Sequence, residues 1–173
     1  MSQTSFAVRE AEPGDAKLIM SSWLKGYRRS PWAGQLDHDT YFEAYRKAIA
    51  GIIGREATKV LVAYNPLAPK GVELLGYVVY EKQDPVVVHW VYVKQGLRRN
   101  GVGRSLLKYA DVDEKRPFEY TFKTLDAERA IRHSKSWNAR FAPALARAEK
   151  GTYAQIKEGV FDSGCGHGAG GGA

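Results

Sequence analysis

Residues 86–107 read VVVHWVYVKQGLRRNGVGRSLL, and the fold turns on how this stretch divides. The first eight residues are apolar and rich in β-branched and aromatic side chains, the composition of a strand. A basic, glycine-containing segment, KQGLRRNGVG, interrupts them. Apolar residues then resume at a helical spacing in GVGRSLLKYADVDE. A strand therefore feeds a helix through the turn RRNGVG.

Working outward from that turn, the upstream elements alternate in type. FAVREA (6–11) alternates apolar and polar residues as a strand does, and EPGD supplies a turn with Asp15 as the expected N-cap. Leu18, Ile19, Trp23 and Tyr27 recur at helical spacing, and SPWAGQ breaks that helix. A second helix is expected to begin near Asp37–Thr40, because Tyr41, Tyr45, Ile49, Ile52 and Ile53 form one stripe. KVLVAY, the turn NPLAPKG, ELLGYVVYEK, the turn QDP and VVVHWVYV then read as a three-strand antiparallel meander. Downstream, FEYTFKTL predicts a fifth strand. DAERAIRHSKSWNARFAPALARA predicts a long basic helix ending near Pro143, and TYAQIKEGVF a short last strand. The order β-α-α-β-β-β-α-β-α-(β) defines an α/β protein of the α+β type, a mixed sheet flanked by helices.

Composition bounds the function classes. At 173 residues, 44% hydrophobic and 26% charged, the chain predicts one globular domain over residues 1–162. The glycine-rich residues 163–173 are expected to form a disordered tail. No apolar run reaches the roughly 18 residues of a membrane span, and MSQTSFAVRE does not have the form of a secretory signal. The single cysteine, Cys165, excludes a disulfide framework and a cysteine-based zinc site, so no metal is expected and the reducing cytoplasm is the expected compartment. The net charge of +7 is compatible with a solvated basic surface, nucleic acid or a phosphorylated ligand.

Helix-end physics narrows these. The first amides of a helix have no intrahelical partner, and the helix dipole places partial positive charge there, so an anion is bound by geometry already present. Glycine at 101 and 103 removes the Cβ atoms that would hold a phosphate off the backbone. Arg98, Arg99 and Arg104 add donors, and no acidic residue lies between Lys94 and Lys108. The same residues also make an ordinary surface turn. A Walker A loop is absent, and Leu106 stands where a Rossmann fingerprint needs glycine or alanine.

Arg98-Arg99-Asn100-Gly101-Val102-Gly103 resembles the Arg/Gln-x-x-Gly-x-Gly/Ala signature of the GNAT superfamily of acyl-CoA-dependent N-acyltransferases. VYVKQGLRR resembles that family's lead-in strand, and Val8-Arg9-Glu10-Ala11 with Asp15 resembles its opening strand and helix. The resemblance spans about residues 6–131 and is specific around 86–108; WLKGYR and the FKT strand add a looser likeness to a bacteriophage-encoded subgroup. It implies a splayed sheet, with the acetyl-CoA pyrophosphate on the amides of residues 99–104. It also implies that the pantetheine arm lies beside Val91, Tyr92 and Val93, where the N–H of Val91 or Val93 polarises the thioester carbonyl. The acceptor it implies is a primary amine on a small molecule, protein or nucleobase, and homodimers are common in the family.

Direct attack by an amine benefits from a base and from an acid for the leaving thiolate. His89 is the candidate base, because strict period-2 alternation puts it on the face of Val91 and Val93; the plainer alternative is a sheet histidine with its hydrogen bonds satisfied. Relatives often carry an acidic tyrosine on the helix after the fifth strand. Here Ala127 replaces the expected asparagine and Ser134 the tyrosine, leaving His133, Ser134, Tyr153 or water as the acid. A catalytically silent acyl-CoA-binding or nucleic-acid-binding protein on the same fold is the alternative function. Trp23, Trp32, Tyr41 and Tyr45 read as core or as an acceptor pocket, and Cys165 with His167 lacks the further ligands of a metal site.

Overall fold

A computed structural model of the chain describes residues 6–69, 71–113, 115–134 and 136–146. Strands β1 (Ala7–Glu10), β2 (Thr58–Tyr64), β3 (Leu74–Glu81), β4 (Val86–Val93), β5 (Phe118–Tyr120) and β6 (Ala139–Phe141) form one sheet in that order. The first four make an antiparallel meander; β5 and β6 add in parallel. Helices α1 (Ala16–Arg28), α2 (His38–Ile53), α3 (Val102–Tyr109) and α4 (Leu125–His133) flank it. This is the mixed, open architecture expected from the element order. Among the described residues no helix is long and apolar enough to cross a membrane.

The apolar stripes decide which face each helix covers. Trp23 and Leu24 of α1 and Ile49 and Ile52 of α2 pack on Val62, Tyr77, Val79 and Trp90, one face of the sheet. Val102, Leu106 and Leu107 of α3 pack on Ala63, Val78, Tyr80 and Val88, the other face. All eight residues of β3 are buried because both faces above it are covered. Fully buried Trp23 stacks on Trp90 at 5.6 Å and meets Phe122 edge-on at 5.2 Å. Gly26 lets α1 lie close to β4: a Cβ there would come within 2.8 Å of Trp90 Cζ2.

Some expectations are corrected. Asp15 stands at the N-cap position of α1, but its carboxylate bonds backward, accepting from the Glu12 N–H (2.8 Å) and Arg9 Nη1 (2.7 Å). Asp37 caps α2 as expected, through the Thr40 N–H at 3.0 Å. The fifth strand is only three residues long, because the chain turns away at Thr121 and Thr124 caps α4 through the Ala127 N–H at 3.1 Å. The long basic helix is broken: α4 ends at His133 and residues 139–141 form β6. Ser134, Ser136 and Asn138 are weak helix formers, and α4 buries no residue fully, so nothing compensates for extending it. Instead Trp137 packs edge-on against Phe118 at 5.9 Å and β6 completes the edge of β5. The last strand expected over 152–161, Tyr153 and the glycine-rich tail lie outside the described residues.

Candidate functional site

β4 is where the sheet opens. Its register with β3 runs evenly from Gly76–Val93 to Val79–Trp90, then shifts so that Tyr80 faces Val88 and His89 is an extra residue in a bulge. On the other edge β5 pairs only with Val86, Val87 and Val88, and the Thr121 N–H closes that pairing on the Val88 carbonyl at 3.2 Å. Beyond Val88 the two strands part as a wedge.

Backbone direction at the wedge follows from one bond. The Lys94 N–H donates to the Leu75 carbonyl on the β3 side at 2.9 Å. By alternation Trp90 and Tyr92 also turn their backbone groups toward β3, so those of Val91 and Val93 face the wedge. The Val93 carbonyl accordingly accepts from Arg98 Nε at 3.3 Å rather than from β3. Two amides thus point into the opening, on the very residues singled out in the sequence.

The turn after β4 supplies a second set of donors. Gly101 adopts φ +80°, a left-handed conformation suited to glycine, and Arg99 adopts φ +67°. The first helical bond of α3 runs from the Ser105 N–H to the Gly101 carbonyl at 2.9 Å, so the amides of Val102, Gly103 and Arg104 precede the ladder. A Cβ at Gly103 would sit 3.5 Å from Val93 Cγ2, an ordinary contact. Packing therefore does not demand this glycine.

Wedge and turn share one cavity of about 1000 Å³. Val91, Tyr92 and Val93 line it from β4. Arg98, Arg99, Gly101, Gly103 and Arg104 line it from the turn and α3, and His133 from the end of α4. Asn100 is exposed in the turn, and Val102 is buried in the core beneath it. Arg98 Nη1 bonds Asp126 Oδ2 at 2.9 Å, reaching from the turn to α4.

His89 departs from its expected orientation. The bulge breaks the alternation, so its ring lies on the α1–α2 face with Glu81, opposite Val91 and Val93. Nε2 shares a hydrogen bond with Glu81 Oε1 and Nδ1 with Thr121 Oγ1, both at 3.0 Å, and the side chain is wholly buried. Both ring nitrogens are thus hydrogen-bonded, and the ring, itself among the residues lining the cavity, ties β3, β4 and the exit of β5 together. Glu81 Oε1 also accepts from Arg55 Nη1 at 2.8 Å. The bond from His89, with that from Arg55, outweighs burial and holds the Glu81 carboxyl down at about 2. The nearby Tyr120 hydroxyl donates to Glu128 Oε1 at 2.7 Å, and burial pushes its pKa up to about 12.

Glu81, Thr121 and Arg55 were not singled out in the sequence. The one available signal was a carboxylate ending an otherwise apolar strand, LLGYVVYE. Trp23 and Tyr41 belong to the core, whereas Trp32 is 41% exposed with Lys123 Nζ over its ring. Ser134 hydroxyl meets Ser136 at 3.4 Å. Among the described residues no group of three or more His, Cys, Asp or Glu is placed to hold a metal ion; Cys165 and His167 lie outside them.

Residues 19–141, more than half of the chain, match the family model described as the acetyltransferase (GNAT) family. The chain belongs to that family. Among solved structures it is similar to a protein from Pyrococcus furiosus described as an acetyl transferase, with a TM-score of 0.51 and 16% identity over 80% of this chain and 82% of that one. It is also similar to a PaiA N-acetyltransferase from Thermoplasma acidophilum solved with coenzyme A, with a TM-score of 0.42 and 14% identity over 62% and 70% of the two chains. No curated protein matches the sequence.

Proposed function

We propose that the protein transfers an acyl group, acetyl in the simplest case, from coenzyme A to a primary amine by direct attack. The observation that carries this is the wedge beside Val91 and Val93 opening into the same cavity as the first turn of α3, whose amides precede the helical ladder. Val102, Gly103 and Arg104 amides, with Arg98, Arg99 and Arg104, suit the coenzyme's pyrophosphate. The backbone of residues 91–93 suits its pantetheine arm as a missing strand would.

Coenzyme A would supply an activated thioester, and the chain would do the rest. The Val91 or Val93 N–H would donate to the thioester oxygen as charge develops there. The amine nitrogen forms the new C–N bond, the C–S bond breaks, the nitrogen loses a proton and the departing sulfur gains one. His133, exposed and among the residues lining the cavity, would give that proton, and water would take the proton from the amine. His89 holds the wedge from behind. The single-cysteine composition favours the reducing cytoplasm as the compartment.

Calorimetry with acetyl-CoA and with coenzyme A tests the ligand, and thiol release with added amines tests transfer. Binding without transfer to any amine would leave a silent acyl-CoA-binding protein, and steeply salt-dependent DNA binding without either would leave a nucleic-acid-binding one. Gly103→Ala is expected to weaken coenzyme binding about tenfold, about 1.4 kcal/mol. Its methyl enters the phosphate approach while making only ordinary contacts with Val93. The melting temperature should hold or rise, since alanine is the better helix former; unchanged affinity would remove α3 from the phosphate site.

A further inference from the structure

The cavity is lined from both faces of the sheet, and the two sides, its two mouths, differ in charge. Beside α3 the mouth carries Arg98, Arg99 and Arg104, the side chains that suit the coenzyme phosphates. On the α1–α2 face the lining is Gly26, Arg29, Ser30, Trp90, Tyr92 and Phe122. Among the described residues lining the cavity from that face, Arg29 is the only Arg, Lys, Asp or Glu. His89 also lines the cavity but is bonded to Glu81 and Thr121, and Lys123 on the neighbouring segment lies over Trp32 and 3.8 Å from Glu128.

Among the described residues no carboxylate there is available to a cationic ligand. Asp126, the only acidic residue among the described residues lining the cavity, pairs with Arg98 at 2.9 Å and lies 4.0 Å from Arg129. Glu81 is buried and bonded to Arg55 and His89, and Glu128 accepts from Tyr120. Arg29, by contrast, is exposed and has no ion pair or hydrogen bond from its side chain among the described residues.

The backbone that carries it is nevertheless fixed. Ser30, next in the chain, donates from Oγ to the Lys123 carbonyl at 2.7 Å and from its N–H to the Tyr27 carbonyl at 2.8 Å. Those bonds stitch the end of α1 to the segment leaving β5, the opposite wall of the mouth. A guanidinium carried on fixed backbone at a rim with no other Arg, Lys, Asp or Glu pairs with a carboxylate or phosphate and disfavours a second cation.

We infer, on the basis of the acyl-transfer reading, that the acceptor is a primary amine carrying an anionic group, a carboxylate or a phosphate. Arg29 binds that group while the amine reaches through the wedge. Diamines and other polycationic acceptors are poor substrates of such a mouth. Arg29 also meets the carbonyl end of α1, a stabilising position for a cation. That role affects melting temperature and leaves the ranking of substrates alone.

The test begins with acetyl-CoA calorimetry on wild type, Arg29→Gln and Arg29→Glu. No binding by wild type would overturn the acyl-transfer reading itself. With binding in hand, thiol release is followed with 4-aminobutyrate, O-phosphoethanolamine, butylamine and 1,4-diaminobutane. Wild type is expected to favour at least one of the two anionic amines over the diamine by tenfold or more in kcat/KM, and their relative rates distinguish carboxylate from phosphate. Arg29→Gln should lose about tenfold on the favoured amine through KM with acetyl-CoA affinity unchanged, and Arg29→Glu should reverse the ranking. The inference is overturned by equal or better use of the diamine, by rankings unchanged in both variants, or by transfer to none of the four from a protein that binds acetyl-CoA.

Discussion

Replacing Glu81 with alanine is expected to destabilise the fold by about 3–5 kcal/mol, the range for removing one partner of a buried ion pair. For a chain of this size that lowers the melting temperature by about 10 °C. The substitution strands His89 Nε2, a wholly buried ring atom, and takes a carboxylate from Arg55 Nη1, which also donates to the Leu145 carbonyl at 2.8 Å. Thermal or urea unfolding reads the loss directly; a change below 1 kcal/mol would show that the clamp carries little. Acid provides an independent check. The Glu81 carboxyl titrates at about 2 when folded against an ordinary value of 4.5, mainly through the His89 bond, so the folded state binds fewer protons than the unfolded chain between those values. Its contribution is complete above about pH 4.5 and falls away as pH drops toward 2. The stability gap between wild type and Glu81→Gln should narrow over that window and stay flat near neutrality.

Gly76→Ala is the second large effect, with an expected loss of about 3 kcal/mol or more from forced overpacking. A Cβ at this position would overlap the Tyr92 carbonyl oxygen and stand 3.2 Å from Val93 Cα. Both are backbone atoms of the paired strand, so no side-chain rotation relieves the clash; β3 and β4 must separate. The separation falls opposite the residues whose amides face the wedge, so coenzyme affinity should fall along with stability. Gly14→Ala is the control: nothing lies within 4 Å of its added Cβ, and the change should stay within about 0.5 kcal/mol. Equal melting temperatures for the two variants would contradict the register of β3 on β4.

Much of this was legible because it is periodic. The stripe from Tyr41 to Ile53 and the β-branched runs of the meander report their own structure, and RRNGVG announces a helix start by its glycines. The bulge leaves no such trace. VVVHWVYV reads as uninterrupted, and one inserted residue at His89 moves its ring to the other face. The partners that then trap it, Glu81 and Thr121, are 8 and 32 residues away and become neighbours only through strand pairing. β6 was hidden for a different reason: three residues are too few to show a period, and the preceding helix pattern ran straight through them.

The wedge also divides the sheet into units of unequal cohesion. β2, β3 and β4 are seven or eight residues long and pair antiparallel, whereas β5 and β6 have three each. Amide hydrogen exchange should therefore find the parallel pair opening sub-globally, well below the free energy needed to unfold the meander. The Val91 and Val93 amides should exchange readily with solvent despite sitting in a long strand. A ligand laid along β4 bridges the two units, so its binding free energy reappears as added protection on residues 118–120 and 139–141 that it need not touch. Ligand affinity and the cohesion of the sheet's far edge then become one thermodynamic quantity.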